Sequence, residues 1–471
     1  MTNNPSATTP IPHPNGMPSF WRSELGELDH YRSTDELPSE SDIVIVGAGY
    51  SAAALVTHLL ATCNKGERKP SILVLEARQL CSGATGRNGG HLKPDPYKLA
   101  ADLAAEYGIE AAAEIANFEV ANLAAVAEYV EAEKVDCDLL VTRAVDVQFS
   151  RAHSDKIKGG YDMLRRAGVK ATKETFHLPE GPAEMVSGVK GAVSAFSYTA
   201  GSLWPYKLIH HMFTRALNSS DNNVSLHTNT PVTSISPTRD AHGRWTLTTP
   251  RGTVKAKQLI LTTNAYTASL LPEYKEKIIP YRSFCSRIVT PNPATAPLLT
   301  NTYALRFSDW DHDYLIPRSD GSIIVGGGRS VYFRDLETWY GNVDDGAEVL
   351  ERVKEYFEGY MQRHFRGWEG SGARVDEIWS GVMGYSSDRL PRIGPIPHRP
   401  GMHVMGGFTG HGMPQIFLCA KGLASMLVHG TPFAQTGIPR LFEETEIRLA
   451  DKRNRVLESW KAVKKAEGGR L

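Results

Sequence analysis

No apolar run in this chain approaches the length of a membrane span. The amino terminus, MTNNPSATTPIPHPNGMPSFW, has no apolar signal core and reads as a disordered or surface-draped lead. Cysteine is scarce and dispersed. Five residues, Cys63, Cys81, Cys137, Cys285 and Cys419, make no CxxC pair, which argues against a disulfide framework and for a reduced intracellular protein. Neither sign of charge prevails, with 52 Lys and Arg against 52 Asp and Glu, so general nucleic-acid or membrane-surface binding is disfavoured. There is no internal repeat. The final GGRL matches a peroxisomal tripeptide only loosely, because Gly stands where a small hydroxyl residue is usual. A cytoplasmic address is expected, with a peroxisomal one left open, and the oligomeric state is not legible.

The chain has 471 residues, enough for two domains or one large discontinuous one. DIVIVGAG reads as a buried strand, YSAAALVTHLLATC as a helix and PSILVLEA as a second buried strand. This order places both strands in one parallel sheet. Residues 97–134 read as a helical pair, 139–150 as a strand and 205–217 as a helix. The stretch 223–263 reads as three strands, 280–330 as strand-rich, 347–368 as helical, and the tail from about 440 as a charged helix. A strand, a glycine loop and a helix follow one another in GMHVMGGFTGHGMPQIFLCAKGLASML.

Gly47-x-Gly49-x-x-Ala52 sits between the first strand and its helix. Gly47 makes the tight turn, Gly49 leaves room for a pyrophosphate, and Ala52 lets helix and strand pack closely. Glu76, 29 residues beyond Gly47, ends the second strand where a ribose would be read. Either feature alone also suits plain packing or a solvated strand end; together they indicate a dinucleotide. The loop CSGATGRNGGHL, with Ser82, Thr85, Arg87 and Asn88 among four glycines, can bring backbone amides against a phosphate. GGFTGHGM, ahead of a helix, can hold an anionic edge on successive amides.

VGAGYSAAA, SGATGRNGGHL, LILTTNAYT, YLIPRSDGSIIVGGG, WSGVMGYSSDRLPRIGPIP and GGFTGHGMP occur in this order. The series resembles the D-amino-acid oxidase/glycine oxidase/sarcosine oxidase superfamily of FAD enzymes over roughly 20–440, and GATGRNGGHL with PSFW upstream is most similar to its γ-glutamylputrescine oxidase-like branch. The resemblance implies an α/β (α+β) fold with a discontinuous Rossmann-type FAD-binding domain (41–137, 201–268 and 376–440) and a β-rich substrate domain (138–200 and 269–375). A lead (1–40) and a charged C-terminal helix (441–471) complete the chain.

The same resemblance implies noncovalent FAD along Gly47, Gly49, Tyr50, Ser51 and Ala52, with Glu76 and Ala77 at the adenosine ribose and Val232 at the adenine. Ser82, Ala84, Thr85, Arg87, Asn88, Gly89, Gly90, His91 and Leu92 would follow the diphosphate and flavin. Gly407, Thr409, Gly410, His411, Gly412 and Met413 would hold the pyrimidine edge. The family moves a hydride from a substrate carbon to flavin N5, so no side-chain triad is expected; Tyr314, Met383, His91 and Trp204 are candidates for the substrate pocket.

Three departures bear on substrate and acceptor. Where amino-acid-oxidising members carry GLRP, this chain reads GVMG, so Met383 replaces the arginine that grips a carboxylate. Arg282, Arg306, Arg318 or Arg329 are the possible substitutes. SGVMGYS has no cysteine for a covalent flavin, leaving His91 as the alternative attachment point, and SIIVGGG has no lysine of the kind sarcosine oxidases use with oxygen. DWDHDY (309–314) reads as a solvated loop rather than a metal site. The expected activity is oxidation of an amine or amino-acid-derived C–N bond to an imine that hydrolyses, with O2 or another electron acceptor. A dehydrogenase using a quinone or carrier, and a flavin-binding protein without turnover, are the alternatives.

Overall fold

The computed structural model describes residues 11–63, 69–220, 223–291 and 296–468. Within them the chain forms two sheets that share one site. The first has a parallel core in the order Val224–His227, Ile72–Leu75, Glu40–Val46, Gly252–Leu261, Met402–Gly406, with Arg392–Pro395 antiparallel at one edge. A hairpin from Trp245–Thr249, with Ser234–Ile235, adds to Gly252–Leu261. Both faces of the parallel core are covered, so Ile72–Leu75 is buried throughout and Glu40–Val46 is apolar on both sides towards its end. The register aligns Val46 with Leu75 and Leu261. Three strands therefore end together, at the carboxyl edge where α/β sheets bind ligands.

The helix Tyr50–Thr62 starts there and packs against Pro205–Leu217 and Ile416–His429. Ala52, Ala53 and Ala54 are fully buried, and their small size permits the close approach.

The second sheet runs Arg374–Ser386, Ile278–Val289, Ile323–Gly327, His312–Pro317, Thr302–Arg306, Leu140–Gln148, Ser194–Ser202, His91–Leu92, with Phe176–Leu178 beside Ser194–Ser202. Its pairs are antiparallel except Thr302–Arg306 with Leu140–Gln148. His91–Leu92 pairs with Gly201 and Ser202, so the glycine loop that begins at the first sheet ends inside the second.

Several expectations need correction. The strand Arg374–Ser386 pairs along nearly its whole length with Ile278–Val289, so the boundary placed at 376 cuts a strand of the second sheet. Residues 347–368 form two short helices, Glu351–Phe357 and Tyr360–His364, separated by Gly359 in a left-handed conformation. The charged tail is two helices, Glu446–Ala450 and Arg455–Gly468. Asp451 separates them by accepting the amide of Arg453. The stretch 223–263 carries four strands. DWDHDY is no solvated loop, because His312–Pro317 is a strand and Asp313 is fully buried under Tyr356 and Tyr360.

The lead is also tied down from residue 11 onward; its first ten residues, and the last three of GGRL, lie outside the described residues. Trp21 is fully buried and gives its indole N–H to Asn88 O, Ser19 Oγ donates to Gly86 O, and Arg22 pairs with Asp29. No helix among the described residues is long and apolar enough to cross a membrane.

Candidate active site

A cavity of about 570 Å³ lies along the carboxyl edge of the first sheet. That volume falls in the range of cofactor sites. Gly47, Gly49, Tyr50 and Ser51 form part of its wall, with Glu76, Ala77 and Val232 on another part. Ser82, Ala84, Thr85 and Asn88 come from the glycine loop, and Gly410, Gly412 and Met413 from the loop before the last large helix. Gly47 takes φ +109°, a conformation that L side chains rarely adopt, and a Cβ there would meet Thr262. Thr85 Oγ1 accepts the amide of Tyr50 at 3.1 Å, pinning the glycine loop across the start of the helix.

The two oxygens of Glu76 accept the amides of Ala48 and Arg78, at 2.7 and 2.9 Å, and so fix the turn from both ends. Ser82 Oγ is buried without a partner among the described residues and belongs to this wall. A helix N-terminus, an unpaired hydroxyl and a turn that excludes side chains are what a diphosphate needs. The residues fit a dinucleotide.

A buried ion cluster locks the loop in place. Asp345, which lies between the second-sheet strands Ile323–Gly327 and Arg374–Ser386, takes both Nη atoms of Arg78 at 2.9 Å and Arg87 Nε at 3.1 Å. The two guanidinium groups also give to Ser82 O, and Arg87 gives to Ser380 O and Met17 O. Arg87, desolvated by burial and facing Arg78 across the shared carboxylate, is lowered to about 10. Its guanidinium is therefore a brace between the lead, the loop and the second sheet. The lead closes over this end, with Ile11, Pro12 and Pro14 on the cavity wall. No glycine or charge pattern in the sequence marks that role for Asp345.

A second cavity, of about 370 Å³, adjoins the first and shares Ala84, Asn88, Met383, Phe408, Gly410 and Met413 with it. Tyr314 enters it through a slot made by two glycines: a Cβ on Gly89 would lie 2.2 Å from Tyr314 Cε2, and one on Gly326 2.3 Å from its Cζ. The Tyr314 hydroxyl is 3.5 Å from Cys285 Sγ. His91 lines this cavity; burial, and then Lys93, lowers it to about 3, so the imidazole is neutral. His312 is likewise held neutral by burial and by Arg306.

Of the four arginines weighed as replacements at Met383, only Arg306 lines this cavity. Arg318 pairs with Asp138, Arg282 gives to Ala347 O, and Arg329 gives to Trp310 O and stacks on Phe333. Arg306 and Lys93 both reach Asp146 Oδ2 at 3.1 Å, and Tyr97 and Tyr198 donate to the same oxygen at 2.9 Å. Burial would push Asp146 up, but Lys93 and Arg306 outweigh it and hold the carboxyl well below its usual range. Arg306 Nε and Nη2 are used on Asp146 and Asp95, which leaves Nη1 free among the described residues.

The remaining expected residues divide by position. Gly89, His91, Thr409 and His411 face the second cavity rather than the first. Ala52, Gly90, Leu92 and Gly407 line neither: Ala52 and Leu92 are fully buried in the core, Gly90 lies tight against Trp21, and the Gly407 amide gives to Asn264 Oδ1. Trp204 is corrected outright. It packs tilted against Phe20 and edge-on to Trp21, donates Nε1–H to Trp21 O at 2.7 Å and lies outside both cavities, because the ordered lead buries it. Among the described residues, no group of three or more His, Cys, Asp or Glu is placed to hold a metal ion.

The chain resembles known proteins along most of its length. It is 24% identical over 400 residues to gamma-glutamylputrescine oxidoreductase of Escherichia coli (strain K12), covering 82% of this chain and 83% of that one. Its fold is similar to glycine oxidase from Geobacillus kaustophilus, with TM-score 0.68, 20% identity and coverage of 87% and 99%. It is also similar to L-proline dehydrogenase from P. horikoshii, with TM-score 0.66, 16% identity and coverage of 87% and 100%. The family model described as FAD dependent oxidoreductase (DAO) matches residues 42–426, and the chain belongs to that family, whose members are FAD enzymes acting on amines or amino acids.

Proposed function

We propose that this enzyme oxidises a C–N bond of an amine that carries a carboxylate away from the reacting carbon, giving an imine that hydrolyses. The observation that carries this reading is the second cavity itself. It meets the cofactor cavity at Met383, which carries no charge, and its wall holds Lys93 and Arg306, with Nη1 open among the described residues. An acidic group on the substrate suits that wall, because the remaining Nη1 can give a single charge-assisted hydrogen bond to a carboxylate. γ-Glutamylputrescine, after which one relative is named, has both a primary amine and a distant amino-acid carboxylate.

Gly47, Gly49, Tyr50, Ser82 and Thr85 would hold FAD, which would supply a hydride acceptor and, with dioxygen as the oxidant, yield hydrogen peroxide. The chain positions the substrate. Tyr314, held between Gly89 and Gly326, fixes one wall, and Met383 supplies an apolar contact beside the cofactor cavity. Positioning of this kind lowers the barrier by removing translational and rotational freedom. Among the described residues none of the five cysteines forms a disulfide, and four are buried, which suits a reducing cytoplasm.

The test is an anaerobic visible titration of the FAD-loaded protein with γ-glutamylputrescine, putrescine, sarcosine, glycine and L-proline, followed by admission of air. Bleaching by the carboxylate-bearing amine ahead of putrescine, and rapid recovery with peroxide, is expected. Bleaching without recovery assigns a dehydrogenase using another acceptor. A flavin that no amine bleaches sinks the proposal and favours a binding role.

A further inference from the structure

Gly410, His411 and Gly412 precede the helix Ile416–His429, and His411 belongs to the second cavity but not to the first. Its side chain is 30% exposed, and its Nε2 lies 3.1 Å from Glu119 Oε2. Glu119 is fully buried in the middle of the helix Ile109–Glu133, on a face it shares with Ile115, Ala116, Asn122 and Leu123. A carboxylate survives there only if its oxygens are satisfied. Gln415 Nε2 donates to Oε1 at 2.7 Å, and the Asp95 amide to Oε2 at 2.8 Å. Glu119 is thereby immobile. A carboxylate accepts only, so His411 Nε2 carries the proton, and in the neutral ring Nδ1 is the acceptor with no partner among the described residues.

The charged groups around His411 are few. Glu119 faces it from the long helix, Asp95 and Lys93 from the segment after the glycine loop, and neutral His91 from the strand His91–Leu92. Lys93 is engaged with Asp146, and Asp95 lies beside Arg306. Burial lowers His411, but Glu119 outweighs it and raises the imidazole above its ordinary value.

We propose that His411 is the proton acceptor for the substrate ammonium, with Glu119 as its positioning residue. This rests on the reading that the cavity takes an amine. A hydride leaves carbon only when the neighbouring nitrogen has a lone pair to share. In the step, an N–H bond of the ammonium breaks, its proton bonds to His411 Nδ1, and the electron pair stays on nitrogen; nothing is oxidised or reduced. The imidazolium formed lies against the Glu119 carboxylate, so the charge moves from the substrate into a pair already built to hold it. Water in the open cavity then takes the proton.

Two measurements test this on the full-length FAD-loaded protein. The first is an ¹⁵N-imidazole NMR titration without substrate, His411 being assigned by the signal lost in H411Q. E119Q is expected to lower the His411 midpoint by about one to three pH units, and E119D to restore part of it. The second is stopped-flow flavin reduction against pH, with whichever of the five panel amines bleaches fastest. Its acid limb moves to lower pH in E119Q by the same amount, and in H411Q it gives way to a limb at the amine's own, higher ionisation, because only the neutral amine then reacts.

A midpoint or a limb unmoved in E119Q, with FAD content preserved, overturns the proposal. If E119Q does not fold, H411Q decides: an acid limb left at its wild-type position overturns it. If no panel amine reduces the flavin, it is the amine reading that falls, while the NMR shift still shows whether Glu119 governs His411.

Discussion

Replacing Asp345 with Asn removes one charge and almost no volume. The carboxylate is 1% exposed, and Arg78 and Arg87 are 6% and 3% exposed beside it. Breaking a buried pair by removing one partner costs about 3–5 kcal/mol, because the remaining charge is left uncompensated. Here two guanidinium groups lose their common counter-ion and repel one another. With an unfolding entropy of about 2.1 cal/mol/K per residue, the 471-residue chain has roughly 1 kcal/mol/K in total. The loss then corresponds to a fall of about 3–5 °C in melting temperature.

The effect extends to the cofactor, since both arginines hold Ser82 O and Arg87 also holds the lead. FAD is expected to dissociate from D345N during dialysis that leaves the wild type yellow. Scanning calorimetry and the 450 to 280 nm absorbance ratio read the two effects, with exposed Glu348→Gln as the control. A D345N protein that loses less than about 1 kcal/mol and keeps its FAD would show that the cluster holds nothing together.

Three further outcomes follow from the geometry. E76A removes the acceptor of the Ala48 and Arg78 amides, each bond to a charged group being worth about 1.5–3 kcal/mol; FAD titration of the apoprotein should show binding weakened about tenfold or more. G326A drives a methyl into the Tyr314 ring; kcat/KM should fall about tenfold to a hundredfold with FAD content intact, and an unchanged value would remove Tyr314 from substrate positioning. Burial pushes Asp313 from 3.8 up to about 6, against hydrogen bonds from Tyr356, Gly328 and Tyr360. A raised acid stabilises the fold fully below its unfolded value and loses that contribution as pH rises through about 6. Urea unfolding should therefore lose about 2 kcal/mol between pH 4 and 6, and D313N should flatten that slope.

The sequence by itself determined the nucleotide-binding edge. Ile43–Val46, Gly47, Gly49 and Glu76 lie within 34 residues, and their order is local, so strand, turn and helix follow from apolar runs and from a positive-φ turn that glycine at 47 tolerates. That Met383 stands where amino-acid-oxidising members carry an arginine follows only from the resemblance of GVMG to their GLRP, not from local pattern. Trp204 and the lead were not legible: a Pro-rich segment without periodicity gives no sign that Trp21 will bury it.

Nor does local sequence show which side chains meet across great separations. Arg78 and Asp345 are 267 positions apart, Glu119 and His411 292, and Asp146 and Arg306 160. Only the tertiary structure decided these pairings, because each depends on where two sheets and a long helix come to rest. A charge is stable in a dry interior only where that packing delivers its partner.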